Sequence, residues 1–299
     1  MARIVDDIVE SPPQKNAVRE QIEAVRHLIR AVGRGDKLMQ LICSEPGLGK
    51  TWIVGHELKK LGIKVEPLAP ANDAAFVKAL YDHRDDQVVV FDDFDALARS
   101  EGVVSIAKMA WGPTRTVVRH TVEARKNTAR EEAGDDKFDS SIPPGDFKIR
   151  PGLIWLSNLN YEDPAMVINA RMVPHFRALC SRSLDPVWID TSDEEDLFRY
   201  CIWLGTEGNM LNDKQMKKEI AEKAIAWFIE HRNRLTEVSP RRLGDAAEYF
   251  QQRLGDAEPY MLGRLLSAKP ERNVLPGGMA IPKIIGAGKW TSWLRATPG

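Results

Sequence analysis

The chain has 299 residues, with 42 Lys plus Arg against 43 Asp plus Glu and a formal charge of -1. That length holds one or two domains with real cores, and 43% hydrophobic with 28% charged residues excludes a fibrous or low-complexity chain. Near-neutrality withholds the basic excess of a typical nucleic-acid binder, though local patches can still bind. Three widely spaced cysteines, Cys43, Cys180 and Cys201, exclude a disulfide framework or a zinc-finger pattern.

The start, MARIVDDIVESPPQ, carries acids and prolines where a signal peptide needs an apolar stretch. No apolar run approaches the roughly 18 residues of a membrane helix. A soluble chain in a reducing cytoplasm, with no membrane partner, is the expectation. The first element is a helix from Ala17 to Val32, with Val18, Ile22, Val25, Ile29 and Val32 spaced by three and four. Leu38 to Cys43 reads as a buried strand, followed by a Gly-rich turn and a helix from about Lys50 to Leu61. A short strand (Ile63 to Leu68), a helix (about Asp73 to His83) and the apolar run Gln87 to Phe91 come next. Strands alternating with helices argue for an α/β fold, a parallel sheet covered on both faces.

Between about 112 and 150 the pattern fades into mixed charge, Ser, Gly and a Pro pair, and this stretch reads as a long charged insertion. Leu153 to Leu156 and Val187 to Ile189 are the last expected strands. Helices alone follow: Glu194 to Trp203, Lys214 to His231, Pro240 to Leu254 and Pro259 to Ala268. The expected organisation is a nucleotide-binding core over 1–191, a small all-helical lid over 192–268 and a basic tail over 269–299 with Gly, Pro, Trp290 and Trp293.

The turn Ser44-Glu45-Pro46-Gly47-Leu48-Gly49-Lys50-Thr51 is expected between a strand and a helix, the context that would confirm a phosphate-binding P-loop (Walker A). Gly47 and Gly49 let backbone N–H groups converge on phosphate without Cβ clashes. Lys50 suits the β and γ phosphates, and the Thr51 hydroxyl suits Mg²⁺. Ser44 stands where the motif usually has Gly. Val88 to Asp93 is an apolar strand delivering two carboxylates at its C-terminal end, the edge where α/β sheets bind ligands. Asp92 would support Mg²⁺ and Asp93 would orient or deprotonate water. Asp is common at such turns in any case, and Asp95 reads as a solvated or capping residue.

With these two motifs in order, the chain resembles the AAA+ ATPases, whose loop is often Gly-Pro-Pro-Gly-x-Gly-Lys-Thr and whose second motif (Walker B) is four apolar residues and Asp-Glu. The likeness extends to Leu153-Ile-Trp-Leu-Ser-Asn158, which looks like sensor 1, and to Ala178-Leu-Cys-Ser-Arg182, similar to the arginine-finger segment. Ser239-Pro-Arg-Arg-Leu243 looks like sensor 2. The resemblance covers about residues 16 to 255. It implies an ATP- and Mg²⁺-dependent homo-oligomer, ring or filament, with Asn158 near the γ phosphate, Arg182 acting on a neighbour's site and Arg241 coupling the lid to the phosphates. Arg171 and Arg177 rival Arg182, whose competing reading is a pair with a local carboxylate such as Asp185. Asn158 has its own turn to bond, and Arg242 stands beside Arg241. Asp93 replaces the family's Glu with a shorter carboxylate, so slow turnover is expected. The long charged stretch before Leu153 is also similar to small AAA+ proteins of bacteriophages, for which the location would be the host cytoplasm.

Residues 115 to 130 hold Arg115, Arg119, Arg125, Lys126 and Arg130 against Glu123, a stretch suited to a phosphate backbone or a ring channel. Glu131, Glu132, Asp135 and Asp136 follow, and a solvated face is the competing reading. The expected work is remodelling of a DNA-associated or protein assembly, such as a DNA replication accessory role. The alternative is a nucleotide-dependent binding switch that assembles on DNA or a partner with little hydrolysis. A P-loop kinase would leave Asn158 and Arg182 without roles. The histidines show no metal spacing, and Cys43 reads as a small core hydrophobe.

Overall fold

The computed structural model describes residues 16–93, 100–118, 121–137, 139, 141–158, 173–181, 183, 186–252 and 265–266. Contacts divide the chain into two compact units. One comprises 22–46 and 50–189; the other comprises 1–21, 47–49 and 190–299. No helix among the described residues is long and apolar enough to cross a membrane.

The first unit is α/β. Strands β1 (Met39–Ser44), β2 (Val88–Phe91), β5 (Gly152–Ser157) and β6 (Val187–Ile189) form a parallel sheet in the order β2-β5-β1-β6. β1 is central, with Met39 opposite Leu153 and Cys43 opposite Ser157, while Ser44 pairs with Ile189. Every residue of β1, β2 and β5 is buried, the mark of a sheet covered on both faces. Odd-numbered Met39, Leu41, Cys43, Val89, Phe91, Leu153 and Trp155 enter one cluster with helices α3 (Asp73–Asp82) and α4 (Glu101–Ala110). The apolar stripes of α1 (Ala17–Gly33) and α2 (Lys50–Lys60) are buried outside that cluster. Here α2 returns Glu57, fully buried, to Arg30 at 2.7 Å, Lys60 at 2.8 Å and Arg26 at 3.7 Å.

The expected strand at Ile63 to Leu68 does not form. Only Leu68 bridges, to Phe91, with its N–H donating to the Val90 carbonyl and its carbonyl accepting from the Asp92 N–H. The stretch 112–150 is more ordered than its composition implies. It holds an antiparallel ribbon, β3 (Thr116–Val118) with β4 (Asp146–Lys148), and a helix, α5 (Val122–Glu132), capped by Thr121. Val117, Phe147 and Ile149 anchor the ribbon in the core. Buried Asn127 ties α5 to the following loop through Asp139, donating to its carbonyl and accepting from its N–H. Neither α4 nor α6 (Val173–Cys180) was an expected element.

In the second unit, α7 (Glu194–Thr206), α8 (Met210–Asp213), α9 (Lys218–Glu230), a 3₁₀ turn (Arg232–Arg234) and α10 (Pro240–Gln252) follow one another. The single helix expected from Lys214 to His231 is broken at Gln215, whose φ of 57° is incompatible with continuation. Asp193 caps α7 by accepting from Glu195 and Asp196 N–H groups. Phe198 stacks on Phe228 at 5.7 Å, and Arg232 lies over Phe198 while pairing with Glu195 at 2.6 Å. Gly205 lets Leu243 of α10 come close, since a Cβ there would stand 2.8 Å from it. Within this unit α1 begins against α7: the Ala17 N–H donates to the Asp196 carboxylate, and Arg19 lies over Trp203.

Candidate functional site

The C-terminal edge of the sheet gathers residues far apart in sequence. β2 ends at Phe91 and β5 passes Trp155 directly opposite it. Phe91 meets Phe76 at 5.1 Å and Trp155 meets Trp111 edge-on at 4.5 Å, pairs worth about 0.5–1.5 kcal/mol each beyond their burial. This aromatic packing fixes the two strands whose next residues are Asp92 and, two beyond Leu156, Asn158.

Lys50, the first residue of α2, is only 8% exposed. A buried ammonium requires partners, and it donates to the Ser44 carbonyl and Ser44 Oγ, each at 3.0 Å, to the Glu45 carbonyl at 3.2 Å and to Asn158 Oδ1 at 2.7 Å. Each of these acceptors is neutral. The backbone turns at Gly47 (φ 90°) and Gly49 (φ 88°), values that L side chains rarely adopt. Ser44 is not among the described residues with positive φ, so its departure from Gly carries no backbone strain; its hydroxyl accepts from Lys50 and donates to the Glu45 carbonyl.

Thr51 Oγ1 donates to Asp92 Oδ2 at 2.6 Å, and the Asp93 N–H donates to Asp92 Oδ1 at 2.9 Å. Both oxygens of Asp92 are thereby oriented. A hydroxyl and a carboxylate in contact are ligand types that fit Mg²⁺, which takes one or two carboxylates with phosphate oxygens and water. No group of three or more His, Cys, Asp or Glu among the described residues offers a metal cage of its own. Asp93 is exposed and sits in the left-handed region at φ 50°, a conformation Asp tolerates better than most residues.

The second unit holds the loop residues Gly47, Leu48 and Gly49 together with the start of α10. The Arg241 N–H donates to the Gly47 carbonyl at 3.2 Å, and Ser239 Oγ caps the helix by accepting from the Arg242 N–H. A Cβ on Gly47 would stand 2.6 Å from Glu237 Oε1 and 3.3 Å from Ser239 Oγ. Gly47 is therefore required by its φ, whereas the Glu237 carboxylate, the far end of a flexible exposed side chain, could give way. Arg242 pairs with Asp245 at 3.4 Å, while the exposed Arg241 guanidinium has no ion-pair or hydrogen-bond partner among the described residues. That contrast singles out Arg241 of the two.

Among the arginine-finger candidates, Arg177 is exposed on α6; Arg171 and Arg182 lie outside the described residues, as do Asp95 and the tail with Trp290 and Trp293. The basic stretch is not one patch. Arg115 is half-buried and donates to the Arg150 and Pro151 carbonyls, and burial pulls its pKa down. Arg125 and Lys126 stand exposed on α5, and Arg119 lies outside the described residues. Cys43 is a buried free thiol in the core cluster. Sequence reasoning missed Glu237. Only the Ser239-Pro240 helix start, with Ser as cap and Pro at the first helical position, hinted that this segment was placed with care. Neither the comparison with models of known families nor that with curated proteins finds a match.

Proposed function

We propose that the protein is an ATP-binding and ATP-hydrolysing AAA+ oligomer that remodels a DNA-associated or protein assembly. The observation that supports this reading best is the pair of contacts Lys50–Asn158 and Thr51–Asp92, spanning 108 and 41 residues of sequence. Together they bring a phosphate-loop cation, a metal-ready hydroxyl, an acid and a polar strand end to one edge of the sheet.

In this reading residues 44–51 form the P-loop and the second unit is the lid. Lys50 exchanges the Asn158 and Ser44 oxygens for phosphate oxygens, which are better acceptors for an ammonium because they are charged. Thr51 and Asp92 would hold Mg²⁺, which would supply positive charge to offset that of the phosphates. Asp93 takes the proton of the attacking water or orients it. Asn158, released from Lys50, is left to hold that water or the γ phosphate. Arg241 supplies a cation beside the loop, and Arg182 completes a neighbouring subunit's site.

The test is ATPase activity of Asp93→Asn and Arg182→Ala, singly and mixed. Both singles are expected to be inactive, and the mixture to recover part of the activity because each damages a different face of a shared site. Two active singles overturn the assignment. A binding switch with little hydrolysis is the second reading, favoured by Asp93, which is shorter than Glu and held at φ 50°. ATP-dependent assembly without phosphate release distinguishes it.

A further inference from the structure

Polyphosphate binding wants cations and N–H donors around the loop, yet the side chain nearest the Gly47 Cβ position is an acid. Glu237 Oε1 stands 2.6 Å from where that Cβ would be. Gly47 itself is buried, so no side chain comes between the carboxylate and the loop backbone. Glu237 is exposed and makes no ion pair or hydrogen bond among the described residues. Its charge at neutral pH is therefore uncompensated by any described neighbour. The same short segment presents the opposite charge four residues on, where Arg241 is tied to the Gly47 carbonyl through its own N–H. Ser239 lies between them, as helix cap and as the second neighbour of Gly47.

We propose that Glu237 is an affinity-setting residue of the nucleotide site, opposing polyphosphate at Gly47 by like charge while Arg241 favours it. This rests on the reading of residues 44–51 as a phosphate loop. The repulsion grows with the charge on the ligand, so Glu237 penalises a nucleoside triphosphate more than the diphosphate and holds nucleotide affinity below what the loop alone would give. Binding must move the carboxylate away from Gly47. The 237–241 segment, which opens α10, is then the part of the helical unit that answers to nucleotide charge. Of the atoms nearest the Gly47 Cβ position, the Glu237 carboxylate is the charged one.

The experiment titrates the full chain with Mg²⁺ and either ADP or the non-hydrolysable triphosphate AMP-PNP, comparing wild type, Glu237→Gln, Glu237→Lys and Lys50→Met. Glu237→Gln is expected to bind AMP-PNP about tenfold tighter, with a smaller gain for ADP. The gain should shrink in about 1 M salt, where the screening length falls to roughly 3 Å. Glu237→Lys should tighten binding further. Binding by wild type, loss in Lys50→Met, and an unchanged or weakened Glu237→Gln would overturn the inference while leaving the phosphate loop intact. Wild type failing to bind either nucleotide overturns the phosphate-loop reading and this inference with it. Melting temperature, expected to be unchanged because Glu237 is exposed, separates a binding effect from a folding one; if Gln were poorly folded, Glu237→Lys and Glu237→Asp carry the test.

Discussion

The two ends of α2 hold buried charge in opposite ways. At its C-terminal end, Glu57 is fully buried and met by three cations, Arg26, Arg30 and Lys60, and the basic last turn suits the negative end of the helix dipole. At its N-terminal end, Lys50 is nearly as buried, and its acceptors include four neutral oxygens. It also sits at the positive end of that dipole, with no acidic residue in the first turn. One end is saturated and gains nothing from a ligand. The other carries N–H donors and the positive end of a helix dipole, features that favour an anion.

Mutating each end tests whether that difference is real. Glu57→Gln leaves three cations clustered around a neutral amide, and removing one partner from a buried ion cluster costs about 3–5 kcal/mol. Amide exchange of β1 and α2 should accelerate accordingly, while nucleotide affinity of the folded protein stays the same. Stability unchanged within about 1 kcal/mol would show the cluster to be an exposed-type ion pair. Lys50→Met should do the reverse. Trading an ammonium for an apolar chain of similar length leaves stability within about 1 kcal/mol, since the desolvation cost of Lys50 disappears with its hydrogen bonds. Nucleotide affinity, measured by titration, should fall about 100-fold, or near 3 kcal/mol. Equal losses of stability in both variants would erase the distinction between the two ends.

Sequence reached this contrast unevenly. The glycine turn between β1 and α2 and the acid-tipped strand were legible because turn glycines and a short apolar run are local signals, each read within eight residues. The Glu57 cluster was not, since its partners come from a helix 27 and 31 residues away and no periodicity encodes an ion pair. α4 was legible in principle: Ser100 caps it and Val103, Val104, Ala107 and Ala110 form one buried stripe. It was hidden behind the charged stretch that follows. The break at Gln215 came from backbone geometry, a positive φ that hydrophobic pattern does not report, and the Ile63–Leu68 run is reduced to the single Leu68–Phe91 bridge. Glu237 was invisible because its significance is proximity to Gly47 alone.

Acid sharpens the comparison at lower amplitude, and it extends to the helical unit. Burial pushes the Glu57 pKa up, but the hydrogen bond and charge of Lys60, followed by the charges of Arg30 and Arg26, outweigh it and hold the carboxyl below its ordinary 4.5. A carboxyl lowered by folding contributes stability that is fully present above its unfolded value and lost as pH falls through the folded one. Asp245 on α10 has the opposite sign. Burial raises it above its ordinary 3.8, with Glu248 adding to that and Arg242, Lys214 and Arg241 opposing. Its contribution is fully present below 3.8 and disappears as pH rises through the raised folded value. Amide exchange read separately for α2 and α10 as pH is lowered below 5 should show α2 losing protection in wild type but not in Glu57→Gln, after correction for the intrinsic rate. Over the same range the difference between wild type and Asp245→Asn at α10 should narrow, since protonated Asp245 and Asn are both neutral. A response of the same sign at both helices would mean that global unfolding, rather than these two carboxyls, sets the acid sensitivity of each region.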